Sequence, residues 1–146
     1  MLKNKIMTQE EKQLVLQDIC GRLPYGVIVD YKENEFKTPH WKIITIHPDT
    51  FDGWIGYDKR VGAGSESGSR PFKIGEIKPY LRPMSSMTAE ESMEYLNIDN
   101  RSYSCPMAYA HIPASDRIDW LNAHHFDYRN LIGKGLALEA PEGMYK

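Results

Sequence analysis

Between Gly26 and Leu81 the chain carries four short runs rich in β-branched and aromatic residues: Gly26–Tyr31, Trp41–Ile46, Gly53–Asp58 and Pro71–Ile77. Each is bounded by Pro, Gly, Asn or Asp, which turn a backbone rather than extend it. No apolar stretch of helical period lies between them. Parallel neighbours need a crossover of a dozen or more residues, usually a helix, so strands at this spacing are expected to pair mostly antiparallel, as a meander. The expectation for residues 26–84 is a four-stranded curled sheet or a small SH3-like barrel. Arg60–Pro71, with its glycines and serines, reads as a mobile surface loop or hairpin tip.

On both sides of this region the period changes to that of a helix. Thr8-Gln9-Glu10-Glu11 is a capping box, in which the Thr8 hydroxyl accepts from the third helical amide and Glu11 reaches back. Leu16, Ile19, Cys20 and Leu23 follow on one face, which makes Cys20 a buried thiol. Gly21, Pro24 and Gly26 mark the end. Thr88-Ala89-Glu90-Glu91 is a second capping box, opening a short helix to about Leu96. The stretch 97–113 reads as irregular. A third helix is expected after Ser115 as its cap, with Ala114, Ile118, Leu121 and His125 along one side. A turn over 127–132 and an extended tail complete the chain. The whole is read as one α+β domain over 1–146: an N-terminal helix in 1–25, the β-rich part in 26–84, and C-terminal helices with a docked tail in 85–146.

The 146 residues are 41% hydrophobic and 26% charged, enough apolar material for one core. A net charge of −2 gives no global attraction to nucleic acid or to an acidic membrane surface. The N-terminus has no apolar run of signal-peptide length, and nothing approaches the ~20 residues of a membrane span, so a cytoplasmic location is expected. In that setting the sequon at Asn100-Arg101-Ser102 is read as accidental. Cys20 and Cys105 belong to no CxxC pair, and their spacing asks for no disulfide.

The densest set of reactive side chains is His124, His125, Asp127, Tyr128 and Arg129. Adjacent residues on a helix point ~100° apart, and shared metal ligation from a helix wants partners three or four positions away. Trp120 and Leu121 stand four residues before the two histidines, and neither is a ligand, so a metal could form only with help from Asp127 or His111 through tertiary folding. General acid–base chemistry has suitable groups here, but no GxSxG elbow or activated cysteine accompanies them. The cluster is therefore read as polar fastening of the C-terminal segment, with no catalytic residue, metal or cofactor assigned.

Other patterns are weaker. Gly62-Ala63-Gly64-Ser65-Glu66-Ser67 lacks the Lys of a P-loop and the third glycine of GxGxxG. His47-Pro48-Asp49 matches the tripeptide of J-domain cochaperones, but it follows a strand instead of joining two helices, and a turn accounts for it. Between Lys59 and Arg82 six basic residues, Lys59, Arg60, Arg70, Lys73, Lys78 and Arg82, stand against two acidic ones, with Phe72 and Tyr80 interleaved. That composition is a candidate nucleic-acid-binding face. Three tryptophans and nine tyrosines exceed the needs of a minimal core and favour a protein partner or a homodimer.

The stretches Glu76–Glu91 and Asp119–Lys146, together with the Thr8–Val27 helix region, resemble an uncharacterised family of short proteins from gut-dwelling Bacteroides-type bacteria, their prophages and phages. The resemblance implies a cytoplasmic protein of mobile-element origin and carries over no activity, ligand or catalytic residue. The leading expectation is a non-enzymatic binding or regulatory module acting through protein contacts; the alternative is nucleic-acid binding through residues 59–82.

Overall fold

The computed structural model describes residues 6–31, 41–61, 64–103 and 112–145. Helix α1, Gln9–Arg22, opens on the expected capping box: Glu11 N donates to Thr8 Oγ1 at 3.1 Å and Thr8 N donates to Glu11 Oε1 at 2.9 Å. Removing this cap by Thr8→Ala is expected to cost about 1 kcal/mol in thermal or urea unfolding, with no change in fold.

Strands β1 (Ile28–Tyr31), β2 (Trp41–His47), β3 (Asp52–Val61), β4 (Gly64–Lys73), β5 (Ile77–Leu81) and β6 (Leu138–Glu139) form one sheet in the order β4-β3-β2-β1-β5-β6. All neighbours are antiparallel except β5 and β6. The α+β class holds, and β1–β4 pair in chain order as an antiparallel meander, but β5 joins beside β1 and β6 runs parallel to β5, so the sheet is mixed rather than a small SH3-like barrel. Four strands become six, and the sheet is open, with β4 at one end and β6 at the other.

The largest correction falls on Arg60–Pro71. Instead of a loop, β3 and β4 pair along ten residues each, from Asp52↔Lys73 to Val61↔Gly64, so Gly64–Pro71 is strand and only residues 62–63, outside the described residues, separate the two. Glycine and serine lower strand propensity but do not prohibit a ladder whose partner strand supplies the packing. The run Pro71–Ile77 also divides: β4 ends at Lys73, a single 3-10 turn spans Ile74–Glu76, and β5 begins at Ile77.

One face of the sheet carries the core. Val29, Tyr31, Trp41, Ile43, Ile55, Phe72, Ile77 and Leu81 pack with Val15, Leu16 and Ile19 of α1 and with Leu131, Leu136 and Ala137 from the C-terminal segment. The buried face of α1 is Val15, Leu16, Asp18, Ile19 and Arg22 rather than the stripe through Cys20 and Leu23. Cys20 is exposed, contrary to expectation. The helix has turned so that Asp18 and Arg22 enter the interior, which requires partners for both charges.

Helix α2 runs Ala89–Tyr103, longer than the expected end near Leu96, and its capping box forms through Thr88 and Glu91. Helix α3, Ile112–Ala123, starts before Ser115. Pro113 sits in its first turn, where a missing N–H costs nothing, so no Ser cap is needed there. A second, smaller core joins Ile98, Trp120, Leu121 and Phe126. No helix among the described residues is long and apolar enough to cross a membrane.

Candidate functional site

The C-terminal cluster is built from the inside outward, starting at Asp18. Its carboxylate accepts from Arg22 Nε at 2.8 Å and Nη2 at 3.1 Å, a fork matched to a carboxylate, and from Arg129 Nη1 at 2.7 Å. Arg22 Nη2 also donates to the Phe126 carbonyl at 2.6 Å. Asp18 and Arg22 are buried. One carboxylate thus binds two guanidinium groups from opposite ends of the chain and ties α1 to residues 126–129. Tyr128 OH accepts from Arg129 Nη1 and donates to Asn122 Oδ1, each at 2.8 Å, which extends the network to the end of α3.

The remaining members of the cluster are equally committed. Asp127 is buried, and its two carboxylate oxygens accept from the amides of Leu131 and Ile132 at 2.8 and 2.9 Å, capping the turn that follows. His124 lies on Trp120 with ring centroids 4.0 Å apart, and its Nδ1 is 2.9 Å from the Trp120 carbonyl. A carbonyl only accepts, so Nδ1 carries the proton. His125 has φ +64° and stacks on Tyr145 at 3.6 Å. Burial pushes its pKa down to about 4, and the positive charges of Arg22, His124 and Arg82 add to the effect. Tyr145 in turn donates to the Tyr80 carbonyl at 2.7 Å, and burial raises its pKa to about 12. Ala140 N donates to Leu81 O at 2.8 Å and completes the docking of the tail along β5.

The five residues are therefore brought together, but as fastenings. His124 and His125 face different aromatic rings, and Asp127 faces backbone amides. Among the described residues no group of three or more His, Cys, Asp or Glu side chains is placed to hold a metal; His111 and Cys105 lie outside them.

Of the six basic residues, the four whose side chains are described, Arg70, Lys73, Lys78 and Arg82, do not share one surface. Arg82 makes a bidentate pair with Glu91 at 2.7 and 2.8 Å and lies over the Phe126 ring, and this pairing holds the Glu91 pKa at about 2. Arg70 is half-buried over the Tyr31 ring. Lys73 and Lys78 are exposed, on β4 and β5, with three strands between them in the sheet order. The side chains of Lys59 and Arg60 lie outside the described residues.

A feature missed in the sequence lies on the sheet face opposite the core. Trp54 is 44% exposed and Ile44 55% exposed. A register shift between Ile43 and Thr45 sets Thr45 against Trp54, and the strand there presents consecutive exposed residues. Ile44 lies flat over Gly56, where a Cβ would come within 2.6 Å of its Cδ1, so the glycine makes room for it. Pro71 is exposed at the position paired with Trp54. Lys42 and Lys73 are exposed on the same strands. A cleft of about 390 Å³ opens beside Trp54 toward His47, Asp52, Lys73 and Glu76. The alternation of "WKIITI" marks which residues point outward, but only the bulge and Gly56 place Ile44 over β3, on the face that also carries Trp54. A second cleft, of about 570 Å³, runs between the docked tail and the start of α2, where Arg82 and Glu91 occupy each other.

Comparison with protein-family models, with curated proteins and with solved structures finds no match to this chain. Its reading rests on the chemistry of these surfaces.

Proposed function

We propose that the chain is a non-enzymatic binding module that engages a protein partner through the Trp54–Ile44 face. The observation that supports this is an exposed tryptophan and an exposed isoleucine on neighbouring strands of a sheet face that the core does not use. The part of each side chain left in water forgoes apolar burial of about 25 cal/mol per Å². Tryptophan at the centre of an apolar patch with a polar rim is the usual anchor of a protein interface. Lys42 and Lys73 at the rim favour an apolar segment flanked by acidic residues. The enzymatic reading has no support in the cluster at residues 124–129, whose groups are spent on the fold.

The test is panning of a random peptide library on the folded protein, followed by titration of the enriched peptides by NMR. Shifts are expected on residues 42–46, 54–56 and 69–73. Trp54→Ala should weaken binding about tenfold or more, while its unfolding midpoint stays near that of the parent because the side chain is exposed. Shifts confined elsewhere, or Trp54→Ala without effect, would overturn the reading. A single-stranded oligonucleotide is titrated in parallel. Binding that falls steeply with salt and is lost on Lys73→Glu with Lys78→Glu would replace the protein-partner reading with nucleic-acid recognition.

A further inference from the structure

Strand β4 ends the sheet and, among the described residues, pairs only with β3. Its hydrogen-bonding parity can be read at its C-terminal end. Ile74 N donates across to Phe51 O at 2.9 Å, whereas Lys73 N turns away and donates to Glu76 Oε1 at 2.8 Å. Residues alternate in an antiparallel ladder, so 64, 66, 68, 70 and 72 direct their backbone groups to β3 and 65, 67, 69, 71 and 73 direct theirs outward. Pro71, which has no N–H to give, stands at an outward position, as this parity requires. The outward amides and carbonyls of Ser65, Ser67 and Ser69 form an open edge, and Ser67 and Ser69 are exposed.

Edges of this length are commonly blunted by charges, bulges or covering loops. Here Pro71 and Lys73 guard one end, and the outward-directed positions before them, 65, 67 and 69, are all serine. Its charges are self-complementary about Gly68. Residue 66 is glutamate and residue 70 is arginine, equidistant from that glycine and on the same strand face. Arg70 is half-buried with its guanidinium over the Tyr31 ring, and its Nη1 is buried there without a hydrogen-bond partner among the described residues, so pairing across the edge requires a change of its rotamer.

We infer that a second copy of this chain docks antiparallel along the β4 edge, about a two-fold axis at Gly68. In that register Ser67 and the partner's Ser69 exchange both backbone hydrogen bonds, and the axis repeats the pair. Ser65 N donates to the carbonyl of the partner's Pro71. Arg70 stands across from the partner's Glu66 in a position that makes no backbone bond, where opposed side chains come closest, and the two-fold repeats this pair as well. Such an interface is isologous and closes at two copies. The two sheets become one of twelve strands, with the Trp54 faces of both copies available. The inference is independent of what binds at Trp54.

Sedimentation velocity of the full chain across the micromolar range tests it, with hydrogen exchange at low and high concentration. A reversible monomer–dimer equilibrium is expected, with the amides of Ser67 and Ser69 gaining protection as concentration rises. Ser67→Pro removes an outward N–H without touching the β3 ladder and should leave a folded monomer. Glu66→Arg sets like charges opposite each other twice and should weaken the dimer about tenfold or more. Adding Arg70→Glu to it restores opposite charges in reversed order and should recover most of the affinity. A parent chain monomeric throughout the range, a dimer indifferent to Ser67→Pro, or a folded double variant no tighter than Glu66→Arg alone would overturn the inference.

Discussion

Asp18→Ala should destabilise the protein by about 3–5 kcal/mol, because it strands two cations on a carboxylate that no longer exists. Arg22 is 1% exposed and would keep only the Phe126 carbonyl and the face of Tyr128, with its centre 5.1 Å from the ring centroid. Its Nη1 already has no hydrogen-bond partner among the described residues, so little is left to absorb the loss. Arg129 is more forgiving, since its side chain is 20% exposed and can turn outward. Replacing both members of the buried pair, Asp18→Leu with Arg22→Met, is expected to recover a large part of the stability, as apolar groups of similar volume carry no desolvation cost. Urea unfolding followed by circular dichroism reads both effects. For a chain of this length the single substitution corresponds to a fall in Tm of about 10 °C or more. A loss below about 1 kcal/mol would mean that the ion pair does not fasten α1 to the C-terminal segment.

Acidification should release the same segment from its other side. His125 is held neutral by burial, its pKa down to about 4 from the usual 6.5, with Arg22, His124 and Arg82 adding to the shift. Between these two values the unfolded chain binds a proton at this ring and the folded protein does not. Stability therefore rises with pH across that window, is fully present above 6.5, and is lost progressively as pH falls toward 4. A shift of this size amounts to about 3 kcal/mol for a ring shut off from water. His125 lies beneath a single layer of tail, and solvent screening lowers the expected loss to about 2 kcal/mol. Glu91, paired with Arg82 and held at about 2, acts with the same sign at lower pH, its contribution fading from about 4.5 downward. His125→Asn suits the positive φ and cannot titrate, so its stability should be nearly level from pH 6.5 to 5. An equally steep slope in that variant would assign the pH dependence to another group.

Both predictions concern how the stretch from His125 to Tyr145 is held, and its partners are distant in the chain. It is a structural fastening. The tail docks along β5 only through the two-residue strand Leu138–Glu139 and closes in a turn over residues 142–145, where a fully extended segment was expected. That Asp127 caps Leu131 and Ile132, or that His125 stacks on Tyr145 twenty residues later, follows from no local pattern.

By itself the sequence determined the local order of the chain. Thr8–Glu11 and Thr88–Glu91 fixed two helix starts, because a capping box satisfies backbone donors within four residues. Turn residues between β-branched runs fixed antiparallel pairing, because short connections allow nothing else. Tertiary structure decided the rest, for reasons of packing and long-range pairing. Gly64–Lys73 became a strand because β3 offered it a ladder, against its own propensity. Helix α1 turned Asp18 and Arg22 inward, instead of Cys20, because Arg129 and the Phe126 carbonyl, more than a hundred residues away, satisfied their charge. And Ile44 shares an exposed face with Trp54 because a bulge turns it outward and Gly56 leaves room for it over β3, on the side the core leaves open.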